Sequence, residues 1–254
     1  MKLKRIKDKS TLPIAVLLAF LAIAPVVWAQ SPSVIEVAEF SAEKATTSLP
    51  AHWEPFYFKN IKRHTDYRLV EEDGQVVVKA VADGSASGLK RKITIDPKEY
   101  PIVQWRWKVA NILKKANIYE KQGDDYPARI YITFKDDSAN LGFFEKTKFK
   151  IARMLYGEYL PQAAINYVWA SSAPVGLVMA NSYTDRVMMM VVESGAKNLN
   201  GWMNEERDVY ADYRNTFRKE PPMISGVAIM TDADNTGEFA AAYYGDIQFH
   251  KRRR

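Results

Sequence analysis

The 254-residue chain contains no cysteine and only three histidines. Without a thiol there is no disulfide, no thiolate metal site and no cysteine nucleophile. A Ser-His-Asp triad would need His52 or His64, and neither stands in a recognisable motif. The nucleophile elbow GxSxG, the zinc motif HExxH, the phosphate-cradling GxxxxGK and the dinucleotide fingerprint GxGxxG are all missing. Internal repeats and low-complexity tracts are missing too. A chain lacking disulfides must rely on its core.

Charge of one sign is concentrated at the ends. The formal net charge is +6. Met1 to Ala29 carries Lys2, Lys4, Arg5, Lys7 and Lys9 against Asp8, and Lys251 to Arg254 are all basic. Removing these two segments leaves the body slightly acidic, so the basic total does not argue for nucleic-acid binding. The first segment reads as an export signal: a basic start, an apolar run from Leu12 to Trp28, and a small-residue cleavage pattern at Val27-Trp28-Ala29. The competing reading is an uncleaved anchor, since the run approaches the ~20 residues of a spanning helix. Pro25 and the cleavage pattern favour removal. No second run is long enough to span a bilayer, and no Cys follows for lipid attachment. The expected organisation is a signal peptide at 1–29, a linker at 30–33, one domain at 34–250 and a solvated basic tail at 251–254. The expected compartment is a bacterial periplasm, with secretion as the alternative.

What the chain has in quantity is aromatic and alternating sequence. Its 14 Tyr, 11 Phe and 6 Trp suit strands. Val103, Trp105, Trp107 and Val109 alternate with Gln104, Arg106 and Lys108, the clearest period-two pattern present. Ala128–Phe134 repeats it. Strands are also expected at 34–40, 75–82, 89–95, 165–171, 186–193, 226–230 and 240–249. Val187 to Val192 is apolar on both faces and reads as a central strand. Two helices are expected. Phe143–Tyr156 has an apolar stripe and Gly157 as a stop. Asn204–Phe217 has Asn204 as cap and Glu205 and Glu206 in its first turn. Many strands with few helices predict a mostly β chain, an antiparallel β-sandwich of jelly-roll type with two short helices.

Several constellations are candidates for chemistry. Asp232-Ala-Asp234-Asn235-Thr236-Gly237 begins like a calcium loop, but the twelfth position is Tyr243, not the bidentate Glu of an EF-hand. A different calcium site would use Asp232, Asp234 and Asp246 with backbone carbonyls. The plainer reading is a hairpin turn, which Asp, Asn and Gly favour for local reasons. Asp124 and Asp125 precede a strand whose Arg129 alternates with Tyr131 on its polar side, as a ligand contact would. They also suit a turn with a structural ion pair. Glu205, Asp208 and Asp212 would share one helix face, with Arg207, Arg214 or a metal to neutralise them. Asp208 and Asp212 are candidate paired carboxylates for glycoside hydrolysis. Trp105 and Trp107 lie on the apolar side of their strand and read as core. Trp202, in Asn200-Gly201-Trp202, is the better candidate for an exposed sugar-stacking ring.

The ordered motifs SASGL, YPIVQWRWKV, GDDYPARIYITF, LYGEYLP, YVWA, ERDVYADYR, GVAIMTDADNTG and AYYGDI resemble a bacterial secreted family, domain of unknown function family 3047. The resemblance runs from about Phe40 to Phe249; Arg218-Lys219 depart from it where a glycine turn is expected. It implies a periplasmic β-sandwich similar in outline to galactose-binding-like jelly rolls, and it implies no reaction. It strengthens Arg129, Arg207, Asp212, Asp232, Asp234, Asn235 and Asp246 as site candidates. Three functions follow as expectations. The first is a non-catalytic module for a glycan or other envelope ligand, with Asp124, Asp125, Arg129, Trp202, Arg207 and Asp212 as its contacts and a structural Ca2+ as an option. The second is a hydrolase drawing on Asp124, Asp125, Asp208 and Asp212. The third is a structural envelope protein.

Overall fold

The alternating segments pair into two sheets. The computed structural model describes residues 32–135 and 163–253. The strands are β1 (Val34–Ala38), β2 (Glu54–Phe56), β3 (Asp66–Glu72), β4 (Gln75–Asp83), β5 (Ala86–Ile95), β6 (Ile102–Val109), β7 (Ala128–Phe134), β8 (Ala164–Ala170), β9 (Val178–Asn181), β10 (Thr184–Ser194), β11 (Met203–Asp208), β12 (Ile224–Asp232) and β13 (Phe239–His250), and the described residues also include an α-helix, α1 (Val209–Phe217). The first sheet runs β11-β6-β13-β4-β3, and β1 also pairs with β13. The second runs β2-β5-β12-β7-β8-β10-β9. All the pairs are antiparallel except β8 with β10. This is the expected β-sandwich. The expected leader and the Phe143–Tyr156 helix lie outside the described residues. None of the described helices is long and apolar enough to cross a membrane.

Strand alternation builds the core. Val103, Trp105, Trp107 and Val109 turn inward from β6, and Ile165, Tyr167 and Trp169 answer from β8. Trp105 stacks on Tyr167 at 5.2 Å, and Trp107 meets Trp169 edge-on at 6.1 Å. These contacts tie the two sheets. β8 is buried on both faces. Its other face, with Ala164, Val168 and Ala170, packs with Ile118, Tyr126, Val187 and Met189 in a second cluster outside the sheet. β10 accordingly has strands on both sides, as its two-faced apolar pattern suggested.

The helix at 204–217 is shorter than expected. Met203–Asp208 forms an edge strand paired rung by rung with β6, from Met203 opposite Trp107 to Asp208 opposite Ile102. Pairing to a ready-made strand edge overrides the local helix signal. The cap is therefore Asp208, not Asn204, and its Oδ1 accepts the Ala211 N–H at 2.9 Å. Glu205, Asp208 and Asp212 do not share a helix face. Arg218 ends the helix in the left-handed region, φ 56°, where glycine is usual. The basic tail is partly tied down: Lys251 pairs with Glu99 at 3.1 Å and Arg252 with Asp208 at 2.5 Å.

Candidate functional site

The outward face of the first sheet carries an open groove of about 440 Å³. It is lined by Gln75, Gln104, Arg106, Asn204, Glu206, Asp246 and Gln248, with Trp105 and Glu205 also at its wall. The period-two pattern that sends Trp105 and Trp107 inward sends Gln104 and Arg106 outward. Register brings the remaining groups alongside. Glu206 and Gln248 stand opposite Gln104, and Asn204 stands opposite Arg106. The β13 ladder shifts register between Tyr244 and Ile247, and Gly245 lies within that shift. A Cβ on Gly245 would fall 2.5 Å from Arg106 Cγ and Nε, so glycine is what lets the arginine lie across β13.

The lining is organised by its own hydrogen bonds. Gln104 Nε2 donates to Glu206 Oε2 at 2.5 Å, and Gln248 Nε2 to Glu36 Oε1 at 3.2 Å. Arg106 donates to Gln75 Oε1. Asp246 accepts from Ser41 N–H at 2.9 Å and Ser41 Oγ at 2.5 Å. Above Arg106 sits Trp202, its ring 4.5 Å from the guanidinium carbon and its Nε1 donating to Asp73 at 2.9 Å. Lys108 lies between the rings of Trp202 and Tyr243, at 5.2 and 5.0 Å, and is paired with Glu72 and Asp73. Burial works against its charge, and those two carboxylates more than offset it, so its pKa is raised. Asp73 is held below its ordinary value by its bonds from Lys108 and Trp202. Trp202 is thus half-buried and held in place.

Glu205 points away from the groove. Alternation turns its side chain inward, where Oε1 accepts from Trp107 Nε1 at 3.2 Å. Burial, and then the charge of Glu193, push its pKa up to about 7. Glu193 is held by Asn198 Nδ2 at 3.2 Å.

The acidic turn after β12 lies at the second sheet. Asp125, Asp232 and Asp234 come together there, one oxygen of each within 4.8 Å of the others. Asp125 replaces Asp246 in the expected set, since Asp246 belongs to the groove. Asp125 accepts the N–H groups of Asn235 and Thr236 at 3.3 and 2.6 Å. Asp232 is paired with Arg129, whose Nε is 2.8 Å from Oδ1, and also accepts the Tyr126 N–H at 3.3 Å. Asn235 Nδ2 binds Lys121 O at 2.9 Å, and Gly237 supplies the positive φ of 68°. Asp124 Oδ2 accepts from Asn181 at 3.0 Å. Burial raises the pKa of Asp124 against the pull of Arg129, and burial with the Asp125 charge raises that of Asp234. Calcium takes 6–8 oxygens. Asp125 is already engaged by the Asn235 and Thr236 N–H groups, and Arg129 already neutralises Asp232. The turn fits an internally paired connector better than a calcium cage.

Arg129 is not the exposed sheet contact its alternation suggested. The segment before β7 covers that face. The Tyr126 ring lies 4.6 Å from the guanidinium carbon, and the Arg129 side chain is 4% exposed. Arg207 and Asp212 form a clamp as well. Arg207 donates twice to Asp212, at 3.0 and 2.7 Å, and buried Tyr167 OH donates to the same carboxylate at 2.8 Å. This joins α1 and β11 to β8. Of the residues singled out in the sequence, Trp202 and Asp246 belong to the groove or its rim. Asp124, Asp125, Arg129, Asp232 and Asp234 form a second centre, and Arg207 with Asp212 a third.

The two packed sheets define a mostly β sandwich, and one of them carries an open polar groove. The chain belongs to the family described as Protein of unknown function (DUF3047), whose model matches residues 51–248. No curated protein matches it. Among solved structures it is similar to a family 11 carbohydrate-binding module from Clostridium thermocellum in complex with a β-1,3-1,4-mixed-linked tetrasaccharide. That likeness has 10% identity and a TM-score of 0.41 over 87% of this chain and 98% of that one. It is also similar to the Spr0440 glycoside hydrolase domain, Endo-D, from Streptococcus pneumoniae R6, with 10% identity and a TM-score of 0.34 over 80% of this chain. The chain spans 22% of that second chain's length.

Proposed function

We propose that the protein is an exported, periplasmic, non-catalytic binding module that takes an oligosaccharide along the groove of the first sheet. The observation that carries this is the lining. Carboxamides (Gln75, Gln104, Asn204, Gln248), carboxylates (Glu206, Asp246) and one guanidinium (Arg106) share an open groove, and the Trp202 ring lies beside that guanidinium. A sugar presents hydroxyls that both donate and accept. Planar amide and carboxyl side chains meet adjacent hydroxyls in pairs, and an aromatic face suits the apolar face of a pyranose. The basic, apolar and small-residue sequence of 1–29 supports export. The hydrolase reading is less favoured because its four acids are engaged in separate places: Asp208 caps a helix, Asp212 is clamped by Arg207 and Tyr167, Asp124 accepts from Asn181, and Asp125 holds the turn. The test is a glycan array probed with the processed protein and with Trp202→Ala. At least one glycan class should bind, with the variant roughly tenfold weaker. A blank array would leave a structural envelope role in its place.

A further inference from the structure

The connection from β2 to β3 passes from the second sheet to the first. Between Glu54 and Asp66 the chain holds no acid, whereas Lys59, Lys62 and Arg63 are cationic. Both ends of the connection are anchored. Phe56, leading into it, lies against Gly88 of β5, where a Cβ would fall 2.1 Å from the ring, and Ala86 N–H donates to Arg63 O at 3.1 Å. Between these anchors Ile61 N–H donates to Phe58 O at 3.1 Å and closes a turn with Lys59 and Asn60 at its tip. Lys59 and Lys62 are thereby held on one tight turn. Both are exposed, and neither is in an ion pair among the described residues. Arg63 differs, being paired with Asp83 at 2.7 Å. The same turn leaves apolar surface in solvent. Tyr57 is 48% exposed, and its ring lies 4.2 Å from that of exposed His64. Phe58 and Ile61, at the two ends of the turn, are half-buried.

Independently of the glycan groove, we infer that the 57–64 loop docks the protein on an anionic lipid bilayer. Lys59 and Lys62 meet lipid phosphates there, and Tyr57, Phe58 and Ile61 enter the headgroup layer. The two kinds of side chain do different work. A lysine near an anionic bilayer strengthens partition by about fivefold and reaches no further than a Debye length. A tyrosine ring, apolar in its body and polar at its tip, suits the boundary between headgroups and hydrocarbon. Long lysine stems can lie along that boundary while their ammonium groups stay in water. A soluble polyanion would satisfy the two lysines and leave the aromatic and apolar side chains beside them without a role. That pairing of uncompensated charge with exposed ring surface is what favours a bilayer as the occupant.

The test is co-sedimentation of the processed protein with two kinds of vesicle, phosphatidylcholine alone and equal parts phosphatidylcholine and phosphatidylglycerol. Long-chain polyphosphate, titrated separately, serves as the soluble polyanion. The mixed vesicles should bind the protein roughly tenfold more strongly than the neutral ones, with the gap closing at high salt. Replacing both lysines, Lys59→Gln with Lys62→Gln, should weaken binding to the mixed vesicles by about 25-fold. Tyr57→Ser keeps the charge and should weaken vesicle binding severalfold while leaving any polyphosphate binding unchanged. All three positions are exposed, so melting should stay at the parent value in each variant. Equal binding to the two kinds of vesicle, or to neither, would overturn the inference. So would unchanged binding in the double lysine variant, which would move the contact to the basic tail at 251–254. Vesicle binding insensitive to Tyr57→Ser, together with tighter binding of polyphosphate, would make the loop a site for a soluble polyanion instead.

Discussion

Replacing Glu205 by Gln should stabilise the protein at alkaline pH and do little in acid. The unfolded carboxyl releases its proton near 4.5 and the folded one near 7. Between those values the folded state holds a proton the unfolded state has lost. Stability therefore falls as pH rises through this window and is level above it. A displacement of that size corresponds to roughly 3 kcal/mol. The carboxyl is partly exposed, and solvent screening brings the figure to about 1–2 kcal/mol. Gln keeps an oxygen for Trp107 Nε1 and removes the repulsion from Glu193. Urea unfolding at about pH 8 should show Glu205→Gln more stable than the parent by that 1–2 kcal/mol, or about 2–8 °C in melting. Near pH 4 the two should coincide. A variant equally stable or less stable at pH 8 would refute the argument, because Glu205 would then be ionised without cost beside Glu193.

Two further outcomes follow from the second centre. Arg129→Ala leaves Asp232 buried without its partner and should cost about 3–5 kcal/mol in urea unfolding; a loss under ~1 kcal/mol would mean the pair does not hold the turn. Chelator-stripped protein should melt at the same temperature with and without calcium. A site filled at a hundred times its dissociation constant would add ~2.7 kcal/mol, so a calcium-specific rise of several degrees that vanishes in Asp234→Asn would restore the turn as a metal site.

Local pattern made part of this legible. The alternation of 102–109 was enough to send Trp105 and Trp107 inward and Gln104 and Arg106 outward. Alternation does not say what lies over a strand's outer face, and over Arg129 that is Tyr126. The cap and acidic residues of 204–208 are local helix signals, whereas the pairing that makes the stretch a strand comes from β6, about a hundred residues earlier. The groove was missed for the same reason. Gln75, Gln104, Asn204 and Gln248 form no motif, and only the register of four strands distant in sequence brings them together. The signal available was that Gln104 and Gln248 fall at outward positions of strongly patterned strands. Asp246, a candidate partner of Asp232 and Asp234 by chemistry alone, instead holds Ser41 at the groove.

The most direct test of the glycan groove is amide hydrogen exchange of the processed protein with and without a saturating oligosaccharide drawn from the array. The account predicts added protection in β6, β11 and the 243–248 stretch of β13, with the 116–127 segment and the 232–237 turn unchanged. Protection confined to that segment and turn, or no protection on the first sheet, would contradict it.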